Sequence, residues 1–332
     1  MNILILNVGS SSIKYSIYSN KLILKGKFEK LRKRKHFVIS IKKLKKIIEK
    51  ERINIDVIGH RIVHGGRFTQ PRALDNGFIK ILRKIEVLAP LHDIPEIDVV
   101  EACRIFNIKQ YAVFDTEFHT TIPEKAQIYG LPYSYYKKGI EHYGFHGIAH
   151  RYVVEYLRKN KLMKNKLIIC HIGNGVTISA VKNGKSVDTS MGFTPLEGVI
   201  MGSRSGSIDP SIIFFLSRKL SIPKIKEILN YKSGLLGISG KSNDIRDLIK
   251  SKSYRAKLAI EVLCYQISKY ISSYIPVLNG LDLLIFTGGI GENVPLIRRK
   301  ILNYLKFIKF KALVVKVNEE EVIWKEIKKL IS

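Results

Sequence analysis

Cysteine, tryptophan and long apolar runs are scarce in this sequence of 332 residues, which has three cysteines and one tryptophan. No two of Cys103, Cys170 and Cys264 form a Cys-x-x-Cys pair, so we interpret them as reduced thiols and predict neither a disulfide framework nor a zinc site. The apolar Met1–Leu6 is too short for a membrane span, and no basic segment precedes it as in a signal peptide. These absences predict a soluble, cytoplasmic protein with no obligatory membrane partner.

Acidic residues are also scarce, because 28 Asp and Glu stand against 57 Lys and Arg and leave a net charge of +29. The excess is densest in residues 21–52, where 14 basic residues accompany three glutamates. Within this basic stretch, Ile41, Leu44, Ile47 and Ile48 predict an amphipathic helix with a lysine face. That face is either an ordinary solvated surface or one that attracts nucleic acid or an anionic membrane, although aromatic residues for base stacking are sparse here.

Short apolar strands alternate with segments of helical periodicity, which predicts a layered α/β architecture. With 332 residues and 45% hydrophobic composition, the chain is long enough for about two domains with full cores. The predicted strands are Ile3–Leu6, Ile13–Tyr18, Ile55–Gly59, Ala112–Phe114, Leu167–Ile172 and Leu283–Thr287. The predicted helices lie at 41–52, 96–106, 146–159, 211–219, 255–275 and 319–330. Pro276 is expected to close the longest of these helices.

Two hairpin-like segments, Ile5–Lys14 and Ile169–Ile178, resemble each other. Each has a buried strand, a turn with glycine and small polar residues, and a second strand. Their matching positions in the two halves suggest a duplicated domain and favour a nucleotide site, although either turn alone needs no ligand. The sequence has no GxxxxGK[ST] motif and no GxGxxG motif followed by an acid, which excludes a P-loop and disfavours a Rossmann cofactor.

Two glycine-containing segments have the composition of nucleotide-binding loops. Asn7–Lys14 offers backbone N–H groups, three hydroxyls and one lysine, which suit a polyphosphate. Lys14 is equally compatible with a solvent-facing position in a strand. Leu283–Asn293 runs from a strand into a glycine loop, which either approaches a flat ligand or is simply a tight strand–helix turn.

Four polar residues have chemistry that suits a site for an anion. Asp115 stands at the end of a predicted strand, where open α/β sheets bind ligands, although it could also cap a turn. Arg61 and Arg204 each lie beside glycines, and together they suggest an anion clamp. His146 is either a hydrogen-bond donor to a ligand or a structural histidine.

Taken together, these segments resemble the acetate kinase family. The matching segments follow the family's order and run almost from end to end: Leu6–Lys14, His60–Gly66, Leu88–His92, Val113–Thr116, Tyr143–Gly147, His171–Gly175, Asp188–Gly198, Met201–Gly206, Ile208–Pro210, Ser233–Gly237, Asp244–Arg246, Gly288–Asn293 and Asn318–Glu320. The resemblance implies duplicated ribonuclease-H-like domains, as in actin and sugar kinases, with a nucleotide cleft between them. It places the N-terminal domain at residues 1–119 plus 321–332 and the nucleotide-binding domain at 120–320.

The resemblance also implies an activity, namely reversible phosphoryl transfer between ATP and acetate, by in-line attack of the carboxylate, in a homodimer. Asp115, His146 and Arg204 would be catalytic, and Asn7 and Glu319 would hold Mg²⁺, with Mn²⁺ as an alternative. The acid would be bound by Arg61, Val63, Leu91, Phe145 and Pro195. The nucleotide, ATP or ADP, would be bound by Lys14, His171, Ile172, Gly173, Asn174, Gly175, Asp244, Ile245, Arg246, Gly289, Ile290, Gly291, Glu292 and Asn293.

The chemistry of the implied substrate limits the roles that the site residues need to play. Acetate is already ionised at neutral pH, so no general base is needed, and Asp115 is expected to position Mg²⁺ or the γ-phosphate. A kinase for propionate or another short acid is an alternative, because one methylene gives little discrimination. A further alternative is a degenerate kinase whose basic surface binds RNA or lipid. The stretches Lys14–Gly59 and Asn293–Asn318 are shorter than is usual in the family, and Asp93 and Ile94 replace its usual Asn-Pro.

Overall fold

The computed structural model describes residues 1–9, 11–31, 33–90 and 92–332. Leu91, which was predicted to line the acid site, lies outside the described residues. Two sheets organise the fold, one with six strands and one with five. The strands are β1 (Ile3–Gly9), β2 (Ser12–Tyr18), β3 (Leu22–Glu29), β4 (Val57–Ile62), β5 (Arg72–Ala73), β6 (Lys109–Phe114), β7 (Lys166–Ile172), β8 (Val176–Lys182), β9 (Lys185–Thr189), β10 (Leu283–Thr287) and β11 (Lys311–Val314).

Helices cover the sheets and connect their parallel strands. They are α1 (Arg34–Lys50), α2 (Asn76–Ile85), α3 (Asp93–Ala102), α4 (Glu124–Gln127), α5 (Tyr133–Lys137), α6 (Gly147–Lys159), α7 (Pro210–Ser217), α8 (Ile222–Tyr231), α9 (Gly234–Ser239), α10 (Ile245–Lys250), α11 (Tyr254–Leu278), α12 (Gly288–Asn293), α13 (Pro295–Tyr304) and α14 (Glu319–Ile331). Among the described residues, no helix is long and apolar enough to span a membrane.

The two sheets have the same topology. The first has the order β3-β2-β1-β4-β6, with β5 at its end, and the second has the order β9-β8-β7-β10-β11. In both of these five-strand orders the first two pairs of neighbouring strands are antiparallel and the last two are parallel. The additional strand β5 pairs with β6 in the antiparallel direction. This repeat confirms the duplication predicted from the two hairpins and the ribonuclease-H-like fold class.

The chain divides into two compact units. Unit 1 comprises Met1–Phe118, His146–Tyr152 and Asn318–Ser332, and contains the six-stranded sheet. Unit 2 comprises His119–Phe145 and Val153–Val317, and contains the five-stranded sheet. The expected domain boundaries at residues 119/120 and 320/321 stay a prediction.

Strand β1 explains why unit 1 has three layers. Its residues alternate between two cores: Leu4 and Leu6 pack with residues of α1 and α3, whereas Ile3 and Ile5 pack with residues of α14. A strand that is apolar on both faces must be covered on both sides, because successive side chains point to opposite faces. The continuous run Ile3–Leu6 therefore specifies a central strand.

Most of the predicted elements are confirmed, with two differences. The amphipathic helix begins at Arg34, seven residues before the predicted start, because Phe37 extends its buried stripe. The prediction that Pro276 closes the long helix was wrong, since α11 continues to Leu278. Asn279 ends it in the left-handed conformation, and the N–H of Gly280 bonds the carbonyl of Ile275.

The three cysteines are free and buried, and burial raises the pKa of each thiol. They are therefore structural residues of the core rather than reactive groups.

Candidate active site

In unit 1, functional side chains gather at the carboxyl ends of three neighbouring strands. Asn7 lies near the end of β1, Arg61 near the end of β4, and Asp115 directly after β6. These strands are parallel and adjacent, so their carboxyl ends meet at one edge of the sheet. All three side chains are buried, Asp115 completely. The structure therefore brings together three residues that the sequence analysis selected from distant segments.

The Arg61 guanidinium is held on two sides. Its Nε and Nη2 donate to Oδ2 of Asp115 at 3.1 and 2.5 Å, and its Nη1 donates to Oδ1 of Asn7 at 3.2 Å. Charge-assisted bonds of this kind fix both the position and the plane of the guanidinium. The group is thus preorganised before any ligand arrives.

Asn7 links this arginine to the start of α14. Its Nδ2 donates to Glu319 at 2.7 Å and to Glu320 at 2.9 Å. Asn318 caps the helix through a bond from the N–H of Glu321, which places the two glutamates in the first turn. Asn7 and Glu319, the predicted metal ligands, are therefore in direct contact.

Burial and charge act in opposite directions on the Arg61–Asp115 pair. Burial alone would lower the pKa of Arg61, but the carboxylates of Asp115 and Glu319 outweigh it, so the pKa is raised. Burial raises the pKa of Asp115, and Arg61 opposes that shift. Arg61 therefore remains a cation at every physiological pH.

The donor set is compatible with Mg²⁺. The buried Oδ1 of Asp115 has no hydrogen-bond partner among the described residues. Such an acceptor needs a cation or an ordered water nearby, and carboxylate and amide oxygens are the ligands that Mg²⁺ prefers. Since Mg²⁺ is usually held by one or two carboxylates and by substrate phosphates, Asn7 and Glu319 with a nucleotide fit this ion.

His146 has an unusual backbone conformation. Its φ is +58°, in the left-handed region, which is uncommon for a residue other than glycine. The next residue, Gly147, begins α6 and donates its N–H to the carbonyl of Asp115 at 2.8 Å. A Cβ atom at Gly147 would lie 2.1 Å from that carbonyl oxygen, so only glycine permits this approach. This hydrogen bond therefore fixes the backbone next to His146 against the backbone of Asp115.

Lys14 is exposed on β2, directly opposite Asn7 in the antiparallel register. Directly opposed residues project from the same face of a sheet. Lys14 therefore stands on the face that carries Asn7. Its exposure is compatible with both interpretations made from the sequence.

In unit 2, the predicted nucleotide segments also meet. The hairpin between β7 and β8 is closed by a bond from the N–H of Gly173 to the carbonyl of Gly175. The N–H of Gly202 donates to the carbonyl of Asn174 at 3.1 Å, which joins the hairpin to the loop that carries Arg204. Both contacts use backbone groups, and a Cβ atom at Gly202 would lie 2.1 Å from Oδ1 of Asn174, so glycine is required at that position.

The glycine segment after β10 forms α12, beside the end of β7. Gly288 has φ +79°, and its N–H donates to Oε1 of Glu292 at 3.1 Å. A Cβ atom at Gly288 would lie 2.8 Å from the carbonyl oxygen of Ile172, whereas one at Gly289 would meet no atom within 4 Å. Gly289 therefore borders open space, as expected where a ligand approaches the backbone.

Asp244 and Arg246, which were predicted to bind the nucleotide, have a local structural role. Asp244 caps α10 by accepting from the N–H of Arg246 at 2.9 Å. Its Oδ2 also accepts from the Arg246 guanidinium at 2.5 Å, although 78% of that arginine side chain is exposed. The pair fixes the start of a short helix, and the exposed guanidinium is available to a ligand.

Arg204 is buried and anchored by a backbone oxygen. Its Nη1 donates to the carbonyl of Pro195 at 2.8 Å. Burial lowers the pKa of Arg204 to about 10, which still leaves the group protonated at neutral pH. The bond ties two predicted site residues together within unit 2.

Phe145, another predicted site residue, is positioned through its backbone. The imidazole Nε2 of His119 bonds its carbonyl at 3.0 Å, and Nδ1 of His119 bonds the hydroxyl of Ser186 at 2.9 Å. Burial lowers the pKa of His119 to about 4, so the ring is neutral and donates from Nε2 to the carbonyl. The sequence analysis did not single out His119.

Comparison with known proteins identifies the family. Residues 33–326 match the model of the acetokinase family. The chain belongs to the acetokinase family. The acetate kinase of Carboxydothermus hydrogenoformans is 40% identical, over 100% of this chain and 99% of that protein. A propionate kinase from Francisella tularensis matches 98% of each chain at 35% identity with a TM-score of 0.86. The acetate kinase of Porphyromonas gingivalis matches 100% of each chain at 33% identity with a TM-score of 0.85.

This acetokinase-family chain is shorter than its relatives. The alignment with the Carboxydothermus protein is 396 positions long, whereas this chain has 332 residues. The chain therefore matches the whole relative with several shortened segments. That the stretches Lys14–Gly59 and Asn293–Asn318 carry the shortening stays a prediction.

Some residues of the candidate site were missed from the sequence. Glu320 bonds Asn7 alongside Glu319, and the two adjacent acids in Asn318–Glu320 could have indicated it. Glu96 accepts the N–H of Val63 at 2.8 Å, deep in unit 1. No local signal distinguished Glu96, because an acid in the first turn of a helix is common.

Proposed function

We propose that the chain catalyses reversible, Mg²⁺-dependent phosphoryl transfer from ATP to acetate, giving acetyl phosphate and ADP. The observation that carries this proposal is the cluster of three buried residues, Arg61, Asp115 and Asn7, with the half-buried Glu319. It combines a fixed guanidinium for a small anion with oxygen ligands for a cation, which is what the meeting of an anionic acid and a polyphosphate requires.

Arg61 binds the carboxylate of the acid. Asp115 occupies the Nε–Nη2 edge of the guanidinium, so the acid binds the Nη1–Nη2 edge. Acetate is ionised at neutral pH, hence no residue needs to remove a proton from it. Asp115 instead keeps Arg61 in place by accepting from its Nε and Nη2.

Asn7 and Glu319 hold Mg²⁺ with the phosphates of the nucleotide. When bound, Mg²⁺ neutralises the charge that develops on the transferred phosphoryl group. Lys14 stands on the same sheet face as Asn7 and contacts the phosphates as a point charge.

The nucleotide is bound by unit 2. The hairpin His171–Gly175, the helix start at Asp244–Arg246 and the segment Gly289–Asn293 supply backbone N–H groups and open space for the base and ribose. Glycines at these positions let a flat ligand approach the backbone closely. Arg204 and His146 stabilise the phosphoryl group during transfer.

Val63, Phe145 and Pro195 are buried apolar residues, and we assign to them the binding of the methyl group, as the family resemblance implies. The resemblance gives Leu91 the same role, but that residue lies outside the described residues. The 35% identity to a protein described as a propionate kinase favours propionate as a second candidate substrate. Discrimination by one methylene is worth only about 1–3 kcal/mol. The two candidate acids are therefore distinguished by relative rates rather than by absolute exclusion.

We also propose a homodimer that works in the cytoplasm, where ATP is available. Ile212, Phe214, Phe215 and Ile222 on α7 and α8 are exposed large apolar residues in one short segment. Such patches are typical of protein interfaces. Light scattering of the parent protein and of Phe215→Asp should show a dimer and a monomer, and a monomeric parent would refute this part.

The test of the activity is a hydroxamate assay of the purified protein with ATP, Mg²⁺ and each acid from formate to butyrate. We expect the highest kcat/KM with acetate, and no product without Mg²⁺. A profile that peaks at propionate would replace acetate by the second candidate. An absence of acyl phosphate with every acid would refute the proposed function.

A further inference from the structure

A buried pair of carboxyl groups lies next to Arg61. Asp93 and Glu96, in the first turn of α3, are each only 1% exposed. Oδ1 of Asp93 accepts the N–H of His64 at 3.1 Å, and Oε2 of Glu96 accepts the N–H of Val63 at 2.8 Å. The two acids therefore hold the backbone of the segment that follows Arg61.

The second carboxylate oxygen of each acid accepts no hydrogen bond from the described residues. Oδ2 of Asp93 and Oε1 of Glu96 have no donor among the described residues. The two carboxyl groups stand three residues apart in one helical turn and accept from the neighbouring N–H groups of Val63 and His64, so they lie close together in a poorly solvated region. Two carboxylates in such a place cannot both be ionised at low cost, so the pair retains at least one proton.

We propose that Asp93 and Glu96 form a proton-sharing pair that positions Val63 and His64, and thereby sets the shape and charge of the acid-binding end of the site. This inference rests on the proposed function, because it assigns Arg61 and Val63 to the acid substrate. Asp93 and Glu96 are positioning residues and do not touch the reacting atoms.

Burial supports the shared proton. It raises the pKa of Glu96 to about 8, and it raises the pKa of Asp93 well above its ordinary value. Arg61 opposes the shift on Glu96, whereas Asp115 and Glu86 add negative charge around the pair. At least one of the two acids is therefore neutral near pH 7.

Other charged groups near α3 are already engaged or belong to the same loop. Arg34 and Arg83, from α1 and α2, pair with Asp98 and Glu101 farther along the helix. The imidazoles of His64 and His92 adjoin the pair in sequence, and His64 follows β4. These groups complete the charged environment of the pair.

The shared proton has an electrostatic consequence at Arg61. While it is protonated, the pair carries at most a single negative charge beside a guanidinium that must attract an anion. Loss of a proton adds a negative charge in a poorly solvated region, where charges interact strongly. We therefore expect the KM for the acid to rise above about pH 8, while the KM for ATP stays constant.

Two substitutions separate positioning from charge. In Glu96→Gln the amide oxygen accepts from Val63 and the amide nitrogen donates to Asp93, so geometry survives without a titrating proton. We expect an acid KM near that of the parent at pH 7, without the rise at high pH. Glu96→Ala leaves the N–H of Val63 buried and unpaired, so the acid KM should increase about 10-fold with a smaller change in kcat. It should also change the ratio of rates with acetate and propionate.

Glu101→Gln is the matched control, since it removes a carboxylate from the same helix at a position 30% exposed. It should leave the acid KM and its pH dependence unchanged. The proposal is overturned if folded Glu96→Ala keeps the parent's acid KM and substrate profile, or if Glu96→Gln keeps the parent's pH dependence.

An infrared measurement is independent of activity. The parent spectrum at neutral pH should contain a protonated carboxyl that is lost in Glu96→Gln and kept in Glu101→Gln. Identical spectra of parent and Glu96→Gln would overturn the shared proton. If the infrared result holds but the parent phosphorylates no acid, the proposed function fails while the proton-sharing pair stands.

Discussion

At the carboxyl edge of the first sheet stand Asn7, Arg61 and Asp115, whereas the matching edge of the second sheet ends in the turn Ile172–Gly175 and the helix Gly288–Asn293. The strand order is the same in both sheets. The first edge presents charged side chains, and the second presents backbone groups. Duplication thus supplied two copies of one scaffold, and the chemistry was set by residue types at the strand ends.

The two edges also differ in the hydrogen bonds that hold their residues in place. In unit 1, the central charged group is fixed by other side chains, since Asp115 and Asn7 both accept from Arg61. In unit 2, the loops are fixed mainly by backbone hydrogen bonds, such as that from Gly202 to Asn174. Charge removal should therefore damage unit 1 most, and added bulk should damage unit 2 most.

Arg61→Ala should have the largest effect, because it leaves Asp115 buried without its counter-charge. We expect kcat/KM for the acid to fall by about 10²–10³-fold. Removing one partner of a buried ion pair costs about 3–5 kcal/mol, so the free energy of unfolding in urea should fall by a similar amount. Arg104→Ala, at an exposed arginine of the same unit, is the control. A variant with the parent's stability and kcat/KM would show that the cluster is dispensable.

Arg204→Ala tests the main exception in unit 2, a buried charged side chain. We expect kcat to fall by about 10²–10³-fold, with a smaller change in the acid KM, because the charge acts on the transferring phosphoryl group. Steady-state kinetics at saturating ATP measure this, with the exposed Arg218→Ala as control. Near-normal turnover of a folded variant would remove Arg204 from the mechanism.

Gly289→Val tests the backbone edge of unit 2. A side chain there enters open space next to α12, where we place the nucleotide. Overfilling a packed site costs about 1–3 kcal/mol, so the KM for ATP should rise about 10-fold. The acid KM should not change. Gly130→Val is the control, because a Cβ atom at Gly130 also meets open space and this glycine is not among the predicted nucleotide-binding residues. Equal ATP KM values for the two variants would contradict the assignment.

The smallest expected effect concerns stability and pH in unit 1. Burial raises the pKa of Glu96 from 4.5 to about 8, so the folded chain keeps a proton that the unfolded chain loses in this interval. The stabilisation is complete below about pH 4.5 and is lost as the pH rises to about 8. In Glu96→Gln this decline should be smaller, measured by urea unfolding at both ends of the range. If the parent and Glu96→Gln lose the same free energy of unfolding between these two pH values, the raised pKa of Glu96 is contradicted.

The sequence predicted the central strands well because they are buried on both faces. Leu283–Thr287 has the predicted bounds, and Ile3–Leu6 lies within β1. Strand β3 was not predicted, because Lys25, Lys27 and Glu29 make it polar on its exposed face. An edge strand with one solvated face gives a weaker signal than a central one.

The residues of the candidate site also differ in how well the sequence predicted them. Asn7, Arg61, Asp115 and Glu319 stand in segments with recognisable motifs, and the structure brings these four together. Their roles stay predictions. Asp93, Glu96 and His119 could not be found from the sequence. Their importance comes from contacts with the backbone of Val63, His64 and Phe145, which depend on tertiary packing.

The polar face of β3 has a consequence for how the protein behaves at high concentration. Leu22 and Ile23 are exposed on this outermost strand, whose unpaired backbone groups could join a strand of another copy. Lys25 and Lys27 follow immediately and are exposed. Two copies that approach edge to edge must therefore bring like charges together. Repulsion between the lysines of this stretch therefore opposes fibril-like association. Neutralising both lysines should lower the concentration at which the protein precipitates.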